Sequence, residues 1–347
     1  MTGERQVAAE RRDRSGHILL NRPRALNALT LDMVRAIASA LDEFERDERV
    51  ERVVLQGAGD RAFCAGGDVR WVTECGRVGD RAAGQQFFRE EYTLNARING
   101  YSKPFVSLID GIVMGGGVGL SLHGTHRVVT ERAVFAMPEI GIGFFPDVGA
   151  TYALPRVAHQ FGVALATTGV RADAGDMAAF GLATAFVESA RLPALAEALA
   201  RPGDTAAIIS DFASPAPPSP LAAETALFES AFAQAEPDSV LAKLKAAGTP
   251  FADKLLAQIA AGSPTSFALA LRQMKIGGTL SFAQAMRTEF RIVTRILEGH
   301  DFYEGVRAAL VDRDNRPQWR PAPGQAELDV YFAPLGRDDL ILTGDAA

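Results

Sequence analysis

Met114–Gly119 reads MGGGVG, and Met137–Gly149 reads MPEIGIGFFPDVG. The first places backbone amides unobstructed by side chains where the apolar run Phe105–Ile109 ends and a helical pattern through Leu120 and Leu122 begins. N–H groups at a helix start lack internal acceptors and lie in a field that favours negative charge. They suit a phosphate or a developing oxyanion. The second stretch carries two carboxylates, Glu139 and Asp147, among Pro, Gly and Phe. Apolar surroundings raise a carboxyl pKa because desolvation disfavours the charged form, which lets such groups act as acid or base near neutral pH. Together the two stretches predict an enzyme that works on an acyl group.

Outward from these stretches, short strands and amphipathic helices alternate. His17–Leu20 and Val50–Leu55 read as strands, and between them Leu31, Val34, Ala38, Leu41 and Phe44 recur at helical spacing after Thr30 as N-cap. Arg127–Thr130 and Ala133–Phe135 predict two short strands across a tight turn. Gln85–Asn99 reads as a helix with Phe88, Tyr92 and Ile98 among its apolar positions; Glu91, beside Tyr92, reads on its own as a solvated residue. Beyond about Leu192 the strand signal ends, and the chain becomes Ala- and Leu-rich, interrupted by SPAPPSP at Ser214–Pro220. The pattern is an α/β core over residues 1–195 followed by a helical C-terminal region over residues 196–347.

Composition narrows the class of protein. The 347 residues are 48% hydrophobic and 22% charged, as in ordinary globular proteins. A formal net charge of −6 gives no electrostatic reason to expect nucleic acid as a partner. Two cysteines, Cys64 and Cys75, are too few for a disulfide framework and predict a reducing, cytoplasmic location. The longest apolar run, Phe105–Leu122, contains Asp110 and a cluster of glycines, so no membrane span is expected.

Weaker signals in the chain each have a plain structural reading as well. Ala62–Asp68 (AFCAGGD) offers more free amides, but alone it is a glycine turn. A dinucleotide fingerprint that starts at Gly115 and Gly117 fails, because Leu120 stands where the third glycine belongs. His123 and His126 lack a further ligand, so no metal is expected. Arg22 and Arg24 could meet phosphates, although surface arginines are usually only solvated.

Several motifs in order identify a family. LNRPRALNALT (Leu20–Thr30), RAFCAGGDVR (Arg61–Arg70), KPFVSLIDGIVMGGGVGL (Lys103–Leu120) and MPEIGIGFFPDVGATYALPR (Met137–Arg156) resemble the crotonase, or enoyl-CoA hydratase/isomerase, superfamily. REEYTLN (Arg89–Asn95) and DFYEGVRAALVDRDNRPQW (Asp301–Trp319) resemble its 3-hydroxyisobutyryl-CoA hydrolase branch. The resemblance implies a spiral of repeated ββα units with a helical C-terminal region. It also implies an oxyanion hole from the N–H groups of Gly67 and Gly116, and coenzyme A held by Arg22, Arg24, Ala25, Leu26, Ala65, Gly67 and Asp68. Glu91, Gly116, Glu139 and Asp147 would contact the acyl group, with Glu139 and Asp147 carrying the chemistry.

One departure separates reaction types. Hydratases of the superfamily carry a second glutamate where this chain has Gly119, and this chain has Asp147 where they have a small residue. The resemblance thus implies thioester hydrolysis of a short 3-hydroxyacyl-CoA, as in valine breakdown, with 3-hydroxypropionyl-CoA a close competitor. A hydratase or isomerase, or a CoA- or RNA-binding scaffold without catalysis, are the alternatives. No cofactor is implied beyond the coenzyme A of the substrate, and assembly as trimers or hexamers is the family habit.

Overall fold

The computed structural model describes residues 5–233 and 236–342. The larger sheet holds six strands: β1 (Val7–Arg12), β2 (Ser15–Leu20), β3 (Arg52–Gly57), β5 (Phe105–Ile109), β7 (His126–Val129) and β9 (Ala185–Phe186), in that spatial order. β1 and β2 form an antiparallel hairpin, and every later neighbour is parallel. A smaller three-stranded sheet has the order β4 (Ala62–Cys64), β6 (Ile112–Met114) and β8 (Val134–Ala136).

The chain order shows the repeat. β3 and β4, β5 and β6, and β7 and β8 each put one strand in the larger sheet and the next in the smaller, and a helix follows. Three successive ββα turns result, with parallel register in both sheets because each turn repeats the path of the last. The two strands read across a tight turn at Arg127–Thr130 and Ala133–Phe135 are both present, but they do not pair as a hairpin. Thr130 N–H donates to Ile109 O and Val134 N–H to Gly111 O, so each strand continues a different sheet. β1 escaped the sequence reading because only Val7 of VAAERR is buried, as befits an edge strand.

The described residues fall into two compact units. The first draws on Met1–Gly67, Arg97–Phe135 and Ala172–Ala222, and the second on Asp68–Ala96, Ala136–Arg171 and Ala223–Ala347. In the first unit Val54, Val106, Leu108 and Val128 bury one sheet face against Leu195, Leu199 and Ile209 of the helices Leu192–Ala200 and Thr205–Phe212. Arg52, buried at the start of β3, ties those helices down. Its guanidinium donates to Leu199 O at 2.7 Å, Arg201 O at 2.8 Å, Thr205 Oγ1 at 2.8 Å, and Gly203 O. Element type changes after β9, with only helices and loops beyond it among the described residues, whereas the compact units interleave along the chain.

Helix α1 (Leu31–Arg46) is capped by Thr30, whose side chain accepts from Met33 N–H, and it buries Val34, Ile37, Leu41 and Phe44. Helix α2 spans Val69–Arg77, α3 Arg81–Asn99 and α4 Gly116–Ser121. α4 lies close against β4: a Cβ on Gly117 would stand 2.2 Å from Cys64 O, so only glycine fits there.

Candidate active site

The glycine loops and the carboxylates belong to different units. In the first unit, Gly115 has φ 48 and ψ −124, open to glycine, and it turns the chain into α4. Gly116 is the first helical residue, so its N–H has no acceptor within α4. The Gly66 loop comes close, since a Cβ built there would lie 4.0 Å from Gly116 N. Gly66 has φ 122 and its carbonyl accepts from Leu29 N–H at 2.9 Å.

The segment expected to hold coenzyme A is tied to that loop. Ala65 N–H donates to Leu26 O at 3.0 Å, and Leu29 pairs with Gly67 as an isolated parallel bridge. Asn27, which the sequence reading did not assign, organises both stretches. Its amide donates to Ala58 O and Ala62 O, and its Oδ1 accepts from Arg22 N–H. Arg22 donates to Ala28 O, whereas Arg24 and Ala25 are exposed at the loop tip. Gly67 ends the first unit, and Asp68 begins the second as N-cap of α2, accepting from Trp71 N–H.

The second unit gathers the carboxylates. Glu91, from the middle of α3, is buried on the same helical face as Phe88 and Asn95. Glu139 opens a short 3₁₀ turn, Glu139–Ile142, that ends at Gly143 in the left-handed region. That turn is backed by the stretch Asp301–Val306: a Cβ on Gly143 would strike Asp301 O at 2.2 Å, and one on Gly305 would strike Ile142. Asp147 follows Phe144, Phe145 and Pro146, and Tyr92 donates to its Oδ2 at 2.7 Å. Phe144 packs on Phe88 (ring centroids 5.4 Å apart) and on Phe302 (4.9 Å), and Phe290 meets Tyr92 edge-on. These rings exclude water.

Burial therefore raises every carboxyl here. Glu91 and Glu139 stand well above the usual carboxylate range, first through desolvation and then through the charge of Asp147. Asp147 is pushed up to about 7 by desolvation, against which the Tyr92 hydrogen bond acts. A fourth group, Glu289, is pushed up to about 8 by burial, opposed by bonds from Thr151 and Gly149. Asp147 is the common neighbour whose charge weighs on the other three. Four like charges in a desolvated site do not all ionise together, so the cluster holds protons at neutral pH.

Some polar atoms are left free. Glu91 Oε1, Glu139 Oε2 and both amide atoms of Asn95 are buried without a protein hydrogen-bond partner. Such atoms cost free energy, and at a functional site they are the ones a ligand would satisfy. Tyr92, Asn95, Gln273 and Glu289 were all missed as site residues. Tyr92 and Asn95 share the buried face of α3 with Glu91, a spacing visible in REEYTLN. Glu289 falls on the apolar stripe Phe282–Ala285–Met286–Val293–Ile296, so a charged residue on a buried stripe was its signal.

Comparison with known proteins decides the family. The profile described as enoyl-CoA hydratase/isomerase matches residues 15–329. The chain belongs to the enoyl-CoA hydratase/isomerase family. Among its family relatives, the Danio rerio protein named 3-hydroxyisobutyryl-CoA hydrolase, mitochondrial, is 42% identical over 97% of this chain and 92% of that protein. Two solved structures share the family's fold. A carnitinyl-CoA dehydratase from Mycobacterium thermoresistibile superposes with a TM-score of 0.93 at 37% identity, covering 99% of this chain and 100% of that one. An enoyl-CoA hydratase from Rhodobacter sphaeroides 2.4.1 superposes with a TM-score of 0.89 at 38% identity, covering 97% and 100%. Among the described residues no helix is long and apolar enough to cross a membrane.

Proposed function

We propose that this chain hydrolyses the thioester of a short 3-hydroxyacyl-CoA, converting 3-hydroxyisobutyryl-CoA and water to 3-hydroxyisobutyrate and coenzyme A. The observation that carries the reading is near-full-length similarity to 3-hydroxyisobutyryl-CoA hydrolases, together with Gly119 at the place of a hydratase glutamate and a buried carboxyl at Asp147. In this reading the Gly67 and Gly116 N–H groups receive the thioester oxygen as it gains charge, a contribution of about 10²–10³ in rate per donor. Glu139 takes a proton from the attacking water, or attacks the carbonyl itself to form an anhydride that water then opens. Asp147 carries the proton that passes to the departing thiolate. Tyr92 occupies Oδ2 as a donor, which leaves Oδ1 as the oxygen for that proton. Glu91, whose Oε1 is buried without a protein partner, hydrogen-bonds the 3-hydroxyl of the acyl chain.

Coenzyme A enters as part of the substrate, held by Arg22, Arg24, Ala25, Leu26, Ala65, Gly67 and Asp68, and the steps call for no other cofactor. We assign the activity to valine breakdown, assembly to trimers or hexamers, and location to the cytoplasm; a chain with only two cysteines fits that compartment, whereas the Danio rerio relative is named as mitochondrial. The hydratase reading has its own support in the two similar structures, a carnitinyl-CoA dehydratase and an enoyl-CoA hydratase, and the missing carboxylate at Gly119 weighs against it.

The test is thiol release from 3-hydroxyisobutyryl-CoA, run beside loss of enoyl absorbance from crotonyl-CoA. Free coenzyme A from the first with no hydration of the second is the expected outcome. Hydration without thiol release would overturn the hydrolase reading, and silence in both would favour a scaffold.

A further inference from the structure

Asp147 sits at the start of a turn that the chain does not adopt freely. Val148 has φ 54 and Gly149 has φ 91, so two successive residues are left-handed and one of them is β-branched. A β-branched residue in that region is a genuine outlier that persists only where its surroundings over-determine it. Here two helices do so. Glu289, in the helix Phe282–Ile296, is fully buried; its Oε2 accepts from Gly149 N–H at 2.8 Å and its Oε1 from Thr151 N–H at 2.9 Å. Gln273, in the helix Pro264–Gly277, donates to Pro146 O and, at 2.6 Å, to Thr151 Oγ1. The turn is thus gripped on both sides of Asp147.

We infer that Glu289 is a positioning residue for the proposed hydrolysis, holding the Gly149 and Thr151 N–H groups and thereby fixing the orientation in which Asp147 is presented. The inference rests on the hydrolase reading. A carboxyl group suits the task because both of its oxygens can accept and two donors need two acceptors on one side chain, whereas an amide offers one accepting oxygen and one clashing N–H donor. A buried carboxyl group is costly to desolvate, and here it satisfies two backbone N–H groups that an apolar residue of similar volume would leave unpaired. What the costly group secures is geometry, and displacing a catalytic group by about 1 Å costs up to about 10²-fold in rate.

The experiment compares wild type with Glu289→Gln on 3-hydroxyisobutyryl-CoA, with amide hydrogen exchange followed at Gly149 and Thr151. In a folded variant, kcat falls about 10²-fold while KM stays near that of wild type, and protection at the two amides drops. A folded variant with wild-type kcat overturns the inference, as does a loss seen in KM alone. If Glu289→Gln does not fold, Glu289→Asp decides, because it keeps two carboxyl oxygens and only shortens their reach: a fall in kcat at constant KM with lowered protection at the two amides supports the inference, and unchanged kcat despite lowered protection overturns it. Wild type that releases no thiol overturns the function reading, and this inference with it. An active wild type whose variant is undiminished overturns this inference alone.

Discussion

Tyr92 donates its phenolic proton to Asp147 Oδ2 over 2.7 Å, and both residues are buried. The bond opposes the desolvation that pushes Asp147 up to about 7, because it favours the charged carboxylate. The phenol itself is driven upward by burial and by the neighbouring carboxylates, so it remains a donor throughout the working range.

Tyr92→Phe should therefore raise the Asp147 pKa further, since it removes the interaction that lowers it. The expected result is an upward shift of the limb near pH 7 in the kcat/KM profile and a destabilisation of about 1–3 kcal/mol from the oxygen left unpaired. A profile that superposes on that of wild type would separate Asp147 from the rate.

Glu139→Gln removes the group assigned to attack or to proton abstraction. Turnover should fall by about 10²–10⁴ or more, while binding of a CoA ester is retained. Single-turnover kinetics with an isothermal binding measurement separate the two, and activity within a few-fold of wild type would exclude Glu139 from the chemistry. In a single wild-type turnover in ¹⁸O water, label in the Glu139 carboxyl establishes the anhydride route with water opening the anhydride at the protein carbonyl, whereas general-base attack places ¹⁸O in the product alone.

Asn95→Leu tests whether unpaired polar atoms are kept for a ligand. Removing both amide atoms from a buried site relieves a penalty of about 1–3 kcal/mol for each unsatisfied group, so the variant should melt at a higher temperature. Activity should fall more on 3-hydroxyisobutyryl-CoA than on isobutyryl-CoA, which lacks the hydroxyl. Equal losses on both esters would show that Asn95 does not recognise it.

The carboxyl cluster should make stability depend on pH with a definite sign. Asp147 (about 7) and Glu289 (about 8) are raised in the folded state above their ordinary values, so the folded protein holds protons that the unfolded chain releases. Stability from this source is fully present below about pH 4 and is lost as pH rises toward 7 and 8. Asp147→Asn removes one such group and keeps an acceptor for Tyr92. Its melting temperature relative to wild type should climb between about pH 4 and 7, as read by thermal melts in a buffer series. A constant difference across that window would mean that Asp147 is not raised.

Gly117→Ala probes the seat of the glycine loop. The added methyl would stand 2.2 Å from Cys64 O, against backbone that cannot swing aside. Overpacking of this kind costs about 1–3 kcal/mol, which a thermal melt reads directly. Thiol release should fall with it, because α4 and the Gly116 N–H move together.

The sequence by itself determined the alternation of strands and helices in the first half, the glycine run at the start of α4, and the two carboxylates of MPEIGIGFFPDVG, while the repeated ββα path was implied by the family resemblance. These are local properties: alternation, helical period and backbone freedom are written in neighbouring residues. Glu91 was legible only through the company of REEYTLN, because a lone helical Glu is ordinarily solvated. That β7 and β8 lie in different sheets was not legible, since the residues of two strands near in sequence do not say which distant strand each one pairs with. Tertiary structure alone decided that Glu289, roughly 140 residues beyond Asp147, grips the turn that carries it. It also decided that burial leaves four carboxyls sharing fewer than four charges. A pKa depends on what lies around a group in space, and a clamp depends on which distant N–H meets which oxygen. Neither is a property of a residue's neighbours along the chain.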